Sequence, residues 1–436
     1  LLIKVLVKRD ITMRKVLFIA FYYNHNNEIA SKRLQGVAKY LSDYNWEPIV
    51  LVPKIEGINS QKSNIRIIET DYVDMLDKFL PSKSNSQDNS KVSSNSNSSS
   101  VRGKLFSKAV SIAGEIFAFP DGMKYWYEPA FNSACQAIED ENIDAIISSS
   151  FPITAHVIAH NLKNKYNIPW IADLRDLWNL NPYINHNFIR NHFELKLEKK
   201  TFSNVDVLTT TTQKAAETLK TLHPQSKIVP VYSGYDPDEF KHVETIKRDD
   251  KLTFMYAGSL YGGKRDPSIL FDAVRQLIDE GKVESSKISI DFYGDKDNLV
   301  ELVNSYNLEG IVNINGKIPY EEVLKREKSS DVLLLISWLN PKEKMFIPGK
   351  VYEYLAFKKP VLSLGYKEGS LKDLINETNI GHHTSNLEDT KKVFYSFYKE
   401  YSETGKVSYC GNENASKYSM VETARSFASI LDEELK

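Results

Sequence analysis

The chain has 436 residues, of which 42% are apolar, and its 56 basic and 57 acidic residues leave a net charge of −1. This length predicts two domains of roughly 200 residues each, and the balanced charge argues against wholesale nucleic-acid binding, although it permits local basic patches. The two cysteines, Cys135 and Cys410, lie far apart and form no metal-binding or redox motif, which fits a reducing compartment.

A first series of apolar runs begins near the start of the chain. Residues 16–23 are too few to span a bilayer and predict a first buried strand. We expect the domain to begin at Met13, with residues 1–12 outside it. A helix at 28–44 and a strand at 48–52 follow. Further strands are predicted at residues 65–68, 145–149, 170–173, 205–209 and 227–231.

The segment at 82–100 is built almost wholly of Ser, Asn and other polar residues and predicts a mobile loop. Residues 101–119 have apolar side chains at helical spacing and a basic start. This pattern is typical of an amphipathic helix, which can pack in the core or lie on an anionic membrane; we favour the core.

A second series of elements starts near residue 251. Strands are predicted at 253–257, 288–293, 311–314, 332–336 and 360–364, and helices at 267–280, 298–307, 320–329 and 370–376. The alternation predicts two doubly wound, Rossmann-like parallel-sheet α/β domains. Their bounds are 13–240 and 251–415, with a C-terminal helix at 416–436 that can pack back on the first domain. Ligands are expected at the carboxyl ends of the strands, in a cleft that the domains face.

Residues 258–264 match the first seven positions of the P-loop, G-x-x-x-x-G-K, between a strand and a helix. The eighth position, which holds magnesium in P-loops as Ser or Thr, is Arg265. We predict a phosphate-binding loop in which Lys264 and Arg265 replace the charge of a metal. The alternative is a glycine-rich surface turn. Asp266 and Pro267 are expected to begin the next helix.

The stretch 346–361 predicts a tight loop, a two-turn helix, a turn and a buried strand. Pro348 suits the first helical turn, and Lys350 and Glu353 lie on one face of it. Free N–H groups and the helix dipole form an anion site there, and a carboxylate one turn deeper can accept two ribose hydroxyls. The alternative is an ordinary amphipathic helix with a surface ion pair.

Charged and polar residues also follow strands of the first domain. Asp173 and Arg175 share a face at the end of one strand, with Asp176 just beyond, and either face a ligand or form a structural Arg–Asp pair. Two further groups lie at strand ends and can meet a ligand: Ser150, Phe151 and Pro152, and His25, Asn26 and Asn27.

Other chemical patterns are weaker. Asp295-Lys-Asp297 and Asp236-Pro-Asp238 resemble metal-binding D-x-D pairs, but solvated loops are the favoured interpretation. His156 can be a ligand contact or a histidine on a helix face. His382 and His383 have no third ligand nearby and are predicted to lie in a loop.

Four of these passages together carry a family resemblance: residues 143–156, 168–178, 256–264 and 348–356. The chain resembles the family-four retaining glycosyltransferases of the GT-B fold, over most of residues 13–435. It is most similar to a bacterial branch used in polysaccharide and surface-glycan assembly. The resemblance implies a nucleotide diphosphate sugar in the second domain, a glycan or lipid-linked acceptor in the first, and no metal or other cofactor. It also implies a cytoplasmic enzyme, soluble or at the inner face of the membrane, with 101–119 as the contact.

The resemblance assigns roles to individual residues. Glu353 would hold the ribose, Lys264 would neutralise the departing diphosphate, and 316–319 would frame the base, with a UDP-sugar of hexosyl or N-acetylhexosaminyl type favoured. The donor-binding set is Gly258, Ser259, Gly263, Lys317, Ile318, Phe346, Ile347, Pro348, Gly349, Lys350 and Glu353. The catalytic set is Lys264, Arg265, Arg175, Asp173 and Asp176, and the acceptor-binding set is His25, Asn26, Asn27, Ser150, Phe151 and Pro152.

Three positions depart from the family pattern. Met345 replaces a second glutamate, and Glu343 lies two positions away from that register; Ser259 replaces an arginine, and Arg175 replaces a histidine. A non-catalytic nucleotide-sugar-binding GT-B protein is therefore the main alternative to a transferase. A P-loop NTPase and a metal-dependent transferase of another fold are further alternatives, against which Arg265 and the two-domain pattern count.

Overall fold

The computed structural model describes residues 13–24, 29–55, 65–72, 119–184, 186–247, 250–296 and 298–436. They form two compact units. Unit 1 contains the described residues up to Thr210 together with Thr218–Val229 and Ala424–Lys436, and unit 2 contains Thr211–Glu217 and Pro230–Thr423. The predicted loop at 82–100 and nearly all of the predicted helix at 101–119 lie outside the described residues.

Unit 1 is built on a seven-stranded sheet with the strand order β3-β2-β1-β4-β5-β6-β7. The neighbouring strands from β3 to β6 pair in parallel. Strands buried on both faces read as continuous apolar runs, and Val16, Leu17 and Phe18 of β1 are accordingly at most 1% exposed. The strands are β1 (Arg14–Ile19), β2 (Trp46–Pro53), β3 (Arg66–Thr70), β4 (Ala145–Ser149), β5 (Trp170–Leu174), β6 (Val207–Thr210) and β7 (Lys227–Pro230).

Helices connect these strands, as parallel pairing requires. They are α1 (Ile29–Leu41), α2 (Tyr127–Glu141), α3 (Thr154–Tyr166), α4 (Phe188–Thr201) and α5 (Gln213–Leu222), which begins in unit 2. The last helix of the chain, α12 (Met420–Glu434), contributes its residues from Ala424 onwards to unit 1. There Asp432 accepts hydrogen bonds from the Arg14 guanidinium at 3.0 Å and the Trp46 indole at 3.1 Å.

Unit 2 is built on a six-stranded sheet with the order β10-β9-β8-β11-β12-β13, all paired in parallel. The strands are β8 (Leu252–Ala257), β9 (Ile288–Tyr293), β10 (Val312–Gly316), β11 (Val332–Ile336), β12 (Val361–Leu364) and β13 (Gly381–Thr384). The helices are α6 (Ser268–Asp279), α7 (Leu299–Ser305), α8 (Tyr320–Ser329), α9 (Lys350–Phe357), α10 (Ser370–Thr378) and α11 (Leu387–Thr404).

Alternate residues of β8 face two separate apolar layers, as the two-residue period of a strand dictates. Phe254 packs into the layer that contains Phe271 and Phe394, with the rings of Phe254 and Phe394 stacked at 4.5 Å. Met255 packs into the opposite layer with Val351 and Leu355. Because Val351 and Leu355 both belong to α9, this second layer fixes the orientation of the helix that carries Glu353.

The predicted fold class is confirmed, since both units are parallel-sheet α/β structures. Two local predictions are wrong. His382 and His383 lie in the edge strand β13, where His383 bonds Ser363 through Nδ1 and the Tyr366 carbonyl through Nε2. Pro348 precedes the first turn of its helix, because α9 begins at Lys350 after Gly349. No helix within the described ranges has the length and apolar character needed to cross a membrane.

Candidate active site

The loop that follows β8 is a tight turn with backbone amides left over. The N–H groups of Gly263 and Arg265 both donate to the Leu260 carbonyl, each at 3.1 Å, so these two amides hold the turn itself. Three other amides of the loop donate to no acceptor among the described residues: those of Ser259, Leu260 and Gly262. A turn with several unengaged N–H groups is suited to bind an anion.

Two cations extend from this loop. The Lys264 side chain is exposed, with its ammonium 5.2 Å from the centre of the Trp338 ring. The Arg265 guanidinium lies 4.3 Å from the centre of the Tyr261 ring. α6 begins at Ser268 with Pro267 as its N-cap, one residue later than predicted, and Asp266 just before it accepts from the Ser268 amide at 2.8 Å.

Gly258 and Gly294 lie close together at the carboxyl edge of the sheet. A Cβ added to Gly258 would lie 3.0 Å from Cε of Lys350, and a Cβ on Gly294 would lie 2.1 Å from the Gly258 carbonyl oxygen. Both glycines also have positive φ angles, +153° and +134°. Gly294 has no room for a side chain because the Gly258 backbone would overlap it, whereas at Gly258 it is the positive φ that favours glycine. The ends of β8 and β9 therefore approach each other directly, and Lys350 reaches the loop after β8.

The start of α9 offers a second set of unengaged amides. The N–H of Phe346 donates to the backbone carbonyl of Glu343 at 3.0 Å. The amides of Ile347, Gly349 and Lys350 donate to no acceptor within the described part of the chain. They lie at the positive end of the helix dipole. The structure thus brings the Lys350 side chain to Gly258 and so joins two parts of the predicted donor site that are about 90 residues apart in sequence.

Glu353 lies in the first turn of α9 and is half-buried. Its Oε1 accepts a hydrogen bond of 2.9 Å from the Tyr320 hydroxyl. Burial raises the pKa of Tyr320, and the neighbouring Glu353 charge raises it further. The phenol therefore stays protonated at neutral pH and acts as a donor to the carboxylate. The sequence had given no reason to single out Tyr320.

Residues 316–319 begin with the last residue of β10 and continue into the loop after it, at the carboxyl edge of the sheet. Gly316 accepts a hydrogen bond from the Gly294 amide at 2.9 Å, and Ile318 packs against the apolar layer under α9. Lys317 is exposed and pairs with Asp295 at 2.7 Å, which lowers the pKa of that carboxyl group. Asp297, the second acid of the D-x-D pattern, lies outside the described residues.

Met345 and Glu343 occupy the turn before α9. The Met345 carbonyl accepts a hydrogen bond of 2.7 Å from Thr212, so the backbone at this position is fixed. Glu343 is half-buried, and burial raises its pKa to about 7. Glu343 thus lies two positions before Met345, the residue that stands where the resemblance leads one to expect a glutamate.

The sequence did not indicate Ser337, which directly follows β11. Its hydroxyl is buried and has no hydrogen-bond partner among the described residues. A buried polar group without a partner is uncommon in folded proteins and marks a position where a ligand or water is expected. Its only signal in the sequence was its place after a buried strand.

In unit 1, Ser150, Phe151 and Pro152 follow β4, and Arg175 and Asp176 follow β5. The Ser150 hydroxyl donates to the Asp176 carbonyl at 3.2 Å, which brings the two groups together. Arg175 and Asp176 pair with each other at 2.7 Å with part of each side chain exposed. His25, Asn26 and Asn27 lie outside the described residues.

Asp173 does not pair with Arg175 and does not face solvent. Both its carboxylate oxygens bond the buried guanidinium of Arg33, and the Thr209 hydroxyl donates to Oδ1 at 2.9 Å. Burial opposes ionisation, but the Arg33 charge and these hydrogen bonds hold the pKa of Asp173 below its usual value. With both oxygens engaged and 1% of the residue exposed, Asp173 holds strand ends together and does not reach a substrate in this arrangement.

His156 is also part of the interior. The Trp170 indole donates to Ser148 Oγ at 2.8 Å, and the same hydroxyl forms a hydrogen bond of 2.7 Å with His156 Nδ1. The other ring nitrogen, Nε2, has no hydrogen-bond partner among the described residues. Burial lowers the pKa of His156 to about 3. It is a neutral packing residue.

The metal-binding patterns gain no support. Asp236 and Asp238 form a turn in which the Asp238 amide donates to Asp236 at 2.9 Å, and Lys241 pairs with Asp238. Within the described part of the chain, no three His, Cys, Asp or Glu side chains group together in a way that could hold a metal ion.

Known structures place this fold in the GT-B class. The chain is similar to sucrose-phosphate synthase from Thermosynechococcus elongatus, with a TM-score of 0.58 and 12% identity over 97% of this chain and 96% of that chain. It is similar to HepE of Anabaena in complex with UDP, with a TM-score of 0.61 and 12% identity over 97% and 100%.

A third similar structure is WaaG, a glycosyltransferase involved in lipopolysaccharide biosynthesis, with a TM-score of 0.51 and 12% identity over 96% of this chain and 98% of that chain. No protein-family model and no curated protein matches the sequence. At these identities the similarity shows the fold alone.

Proposed function

We propose that this protein is a retaining glycosyltransferase that moves a hexosyl or N-acetylhexosaminyl group from a nucleotide diphosphate sugar, with a UDP-sugar favoured, to an acceptor hydroxyl. One observation carries the proposal. The loop after β8 and the start of α9 each carry unengaged amides, and the Lys350 side chain extends from the start of α9 to Gly258 at the beginning of that loop. One turn further along α9 lies the carboxylate of Glu353, suited to two ribose hydroxyls. The similarity in fold to HepE, whose structure contains UDP, supports it.

The main chemical requirement of such a reaction is stabilisation of the departing diphosphate. Lys264 and Arg265 would supply positive charge, and the amides near Ser259 and Gly349 would supply hydrogen bonds in fixed positions. These donors can act without a metal ion. The leaving phosphate itself would accept the proton of the acceptor hydroxyl, with Asp176 as the weaker candidate for a base. Arg175, Ser150, Phe151 and Pro152 would contact the acceptor.

We assign the acceptor to the class of glycans or lipid-linked glycans of surface polysaccharide biosynthesis, and the site of action to the cytoplasm or the inner face of the cell membrane. These assignments follow the family resemblance and the similarity in fold to WaaG. The contact through 101–119 stays a prediction, because that segment lies outside the described residues.

The second candidate, a nucleotide-sugar-binding protein without catalysis, rests on Met345. If a carboxylate must bind the donor sugar, Glu343 is the available group, since its side chain is half-buried in the same turn. Replacing Glu343 by Gln separates the two candidates, because it would lower turnover of an active enzyme while a non-catalytic protein shows no turnover to lose.

The test is to measure binding of uridine, guanosine, adenosine and cytidine diphosphate sugars by ligand-observed NMR, with and without EDTA. The proposal expects binding of one donor, loss of binding in Glu353→Ala, and no effect of EDTA. Glu388→Ala is the matched control, because Glu388 also lies in the first turn of a helix of unit 2, next to the edge strand β13. Binding of no donor, or equal binding by Glu353→Ala, would contradict the donor site. Product NMR then gives the anomeric configuration.

A further inference from the structure

One face of α4 is exposed, apolar and basic. Ten large apolar side chains are exposed among the described residues, and five of them fall within eleven consecutive positions: Tyr183, Ile184, Phe188, Ile189 and Phe193. Phe188 is 85% exposed, Ile189 56% and Phe193 54%. Single exposed apolar residues are ordinary, but a cluster of this kind marks an interaction surface.

The exposure is not a consequence of a poorly anchored helix. The opposite face of α4 carries two buried carboxylates, Glu194 and Glu198. Glu194 accepts from the Trp178 indole at 2.6 Å and from Arg190 at 3.1 Å. Glu198 accepts from the Asn179 amide at 3.1 Å and bonds His223. These bonds fix the rotation of the helix and hold its apolar side outward.

The outward face is also cationic. With 3.6 residues per turn, Lys196, Lys199 and Lys200 project on the same side of α4 as Phe188, Ile189 and Phe193. All three lysines are exposed, and none forms an ion pair with a described residue. From Leu177 to Lys200 the only acidic residues are Glu194 and Glu198, which are buried. The exposed charge of this surface is therefore wholly positive.

We propose that this face of α4, with Tyr183 and Ile184, docks on an anionic phospholipid bilayer. The aromatic and aliphatic side chains of the first turns would enter the interfacial region, and the lysines of the last turns would contact anionic headgroups. A second copy of the chain fits less well, because the same surface would bring two sets of unpaired lysines together. None of its residues belongs to the helix predicted at 101–119, which lies almost wholly outside the described residues.

The position of α4 in the fold gives the docking a consequence. Arg190 in the first turn of α4 donates to the Pro120 carbonyl at 3.1 Å. The neighbouring Asp121 accepts from the Thr154 amide at the start of α3. The apolar first turn of α4 therefore lies near the carboxyl edge of the sheet, where Ser150 bonds Asp176. Docking there would hold that edge at the membrane, where the hydroxyl of a lipid-linked glycan would be available. This last step rests on the proposed glycosyl transfer, whereas the docking itself does not.

The test is flotation of the full chain with vesicles of phosphatidylcholine alone and of phosphatidylcholine with 30 mol% phosphatidylglycerol. We expect flotation with the anionic vesicles, reduced by salt, and a loss of roughly tenfold or more in the bound fraction on substituting F188S/I189S/F193S or K196E/K199E/K200E. Val300→Ser, which alters an exposed apolar residue of unit 2, should float like the wild type.

Four results would overturn the proposal. They are no flotation of the wild type; undiminished flotation of both α4 variants; a loss caused by L105S/F106S, which alters two apolar residues of the helix predicted at 101–119, but not by either α4 variant; or a dimer in light scattering that the apolar triple variant converts to monomer. Circular dichroism and donor binding confirm that each variant is folded. Donor binding without flotation overturns the docking alone, and flotation without donor binding overturns the proposed transfer alone.

Discussion

The hydroxyl of Tyr320 donates a hydrogen bond of 2.9 Å to Oε1 of Glu353 and thereby joins the first turns of α8 and α9. The bond engages one carboxylate oxygen and fixes its direction. We expect Tyr320→Phe to weaken donor binding by about threefold to tenfold, since a single hydrogen bond contributes roughly 1 kcal/mol. Glu353→Ala should cost more, about tenfold to a hundredfold, because a charged acceptor is lost.

Isothermal titration calorimetry with the donor found in the binding panel measures both effects. Tyr401→Phe is the control, because its hydroxyl contacts Asp250 from α11 and its loss should not alter donor affinity. Wild-type affinity in Tyr320→Phe would show that the bond does not orient Glu353.

Lys264 is exposed at the end of the loop after β8, where we propose that its charge stabilises a departing diphosphate. Replacing it by Ala should lower kcat by about a hundredfold or more, because a group that stabilises developing charge acts chiefly in the transition state. Lys282→Ala is the matched control, since Lys282 is exposed before β9 at the opposite edge of the sheet. A turnover equal to that of the wild type in Lys264→Ala would remove this residue from the mechanism.

The buried pair of Arg33 and Asp173 stabilises unit 1. Changing Asp173 to Asn leaves the guanidinium buried without its counter-charge, and we expect a loss of about 3–5 kcal/mol in the free energy of unfolding. Urea denaturation followed by tryptophan fluorescence reports on this unit, which contains four of the five tryptophans.

Arg66→Gln, which breaks the partly exposed pair with Glu141, should cost about 1 kcal/mol or less. An Asp173→Asn variant as stable as Arg66→Gln would mean that the pair is not buried as described.

His156 makes unit 1 sensitive to acid. Burial lowers its pKa from 6.5 to about 3, so between these values the unfolded chain binds a proton that the folded chain does not. Stability from this group is complete above pH 6.5 and falls as the pH drops towards 3. We expect it to account for about 2 kcal/mol of loss between pH 7 and pH 5.

In His156→Gln that part of the pH dependence should disappear, even if the variant is less stable at pH 7. His242→Gln, which removes an exposed histidine, should leave it unchanged. Parallel stability curves for the wild type and His156→Gln from pH 7 to pH 5 would contradict the buried neutral histidine.

The sequence predicted the two parallel sheets because buried strands carry uninterrupted apolar runs, and three strands, Ala145–Ser149, Ile288–Tyr293 and Val332–Ile336, have the predicted bounds. It missed β13, because Gly381-His-His-Thr384 has no apolar run and becomes a strand only by pairing with β12. Local sequence cannot show such an edge strand.

For the site, the alternation of strands and helices was enough to gather the candidate residues of each unit at one sheet edge. The same alternation did not indicate which side chains form hydrogen bonds with these candidate residues. Arg33 lies 140 positions before Asp173, and Tyr320 lies 33 before Glu353. Pairings at such separations depend on how helices pack on the sheet, which a local pattern does not encode.

Unit 1 is completed by residues from the far end of the described chain, since α12 supplies Asp432 to Arg14 and Trp46, and Phe427 lies under the guanidinium of Arg33. During synthesis this unit therefore cannot close its core until residues 424–436 have left the ribosome, by which time all of unit 2 has been made. An expression fragment that stops at residue 230 would lack these contacts, whereas a fragment that joins 424–436 to it through a linker would restore them.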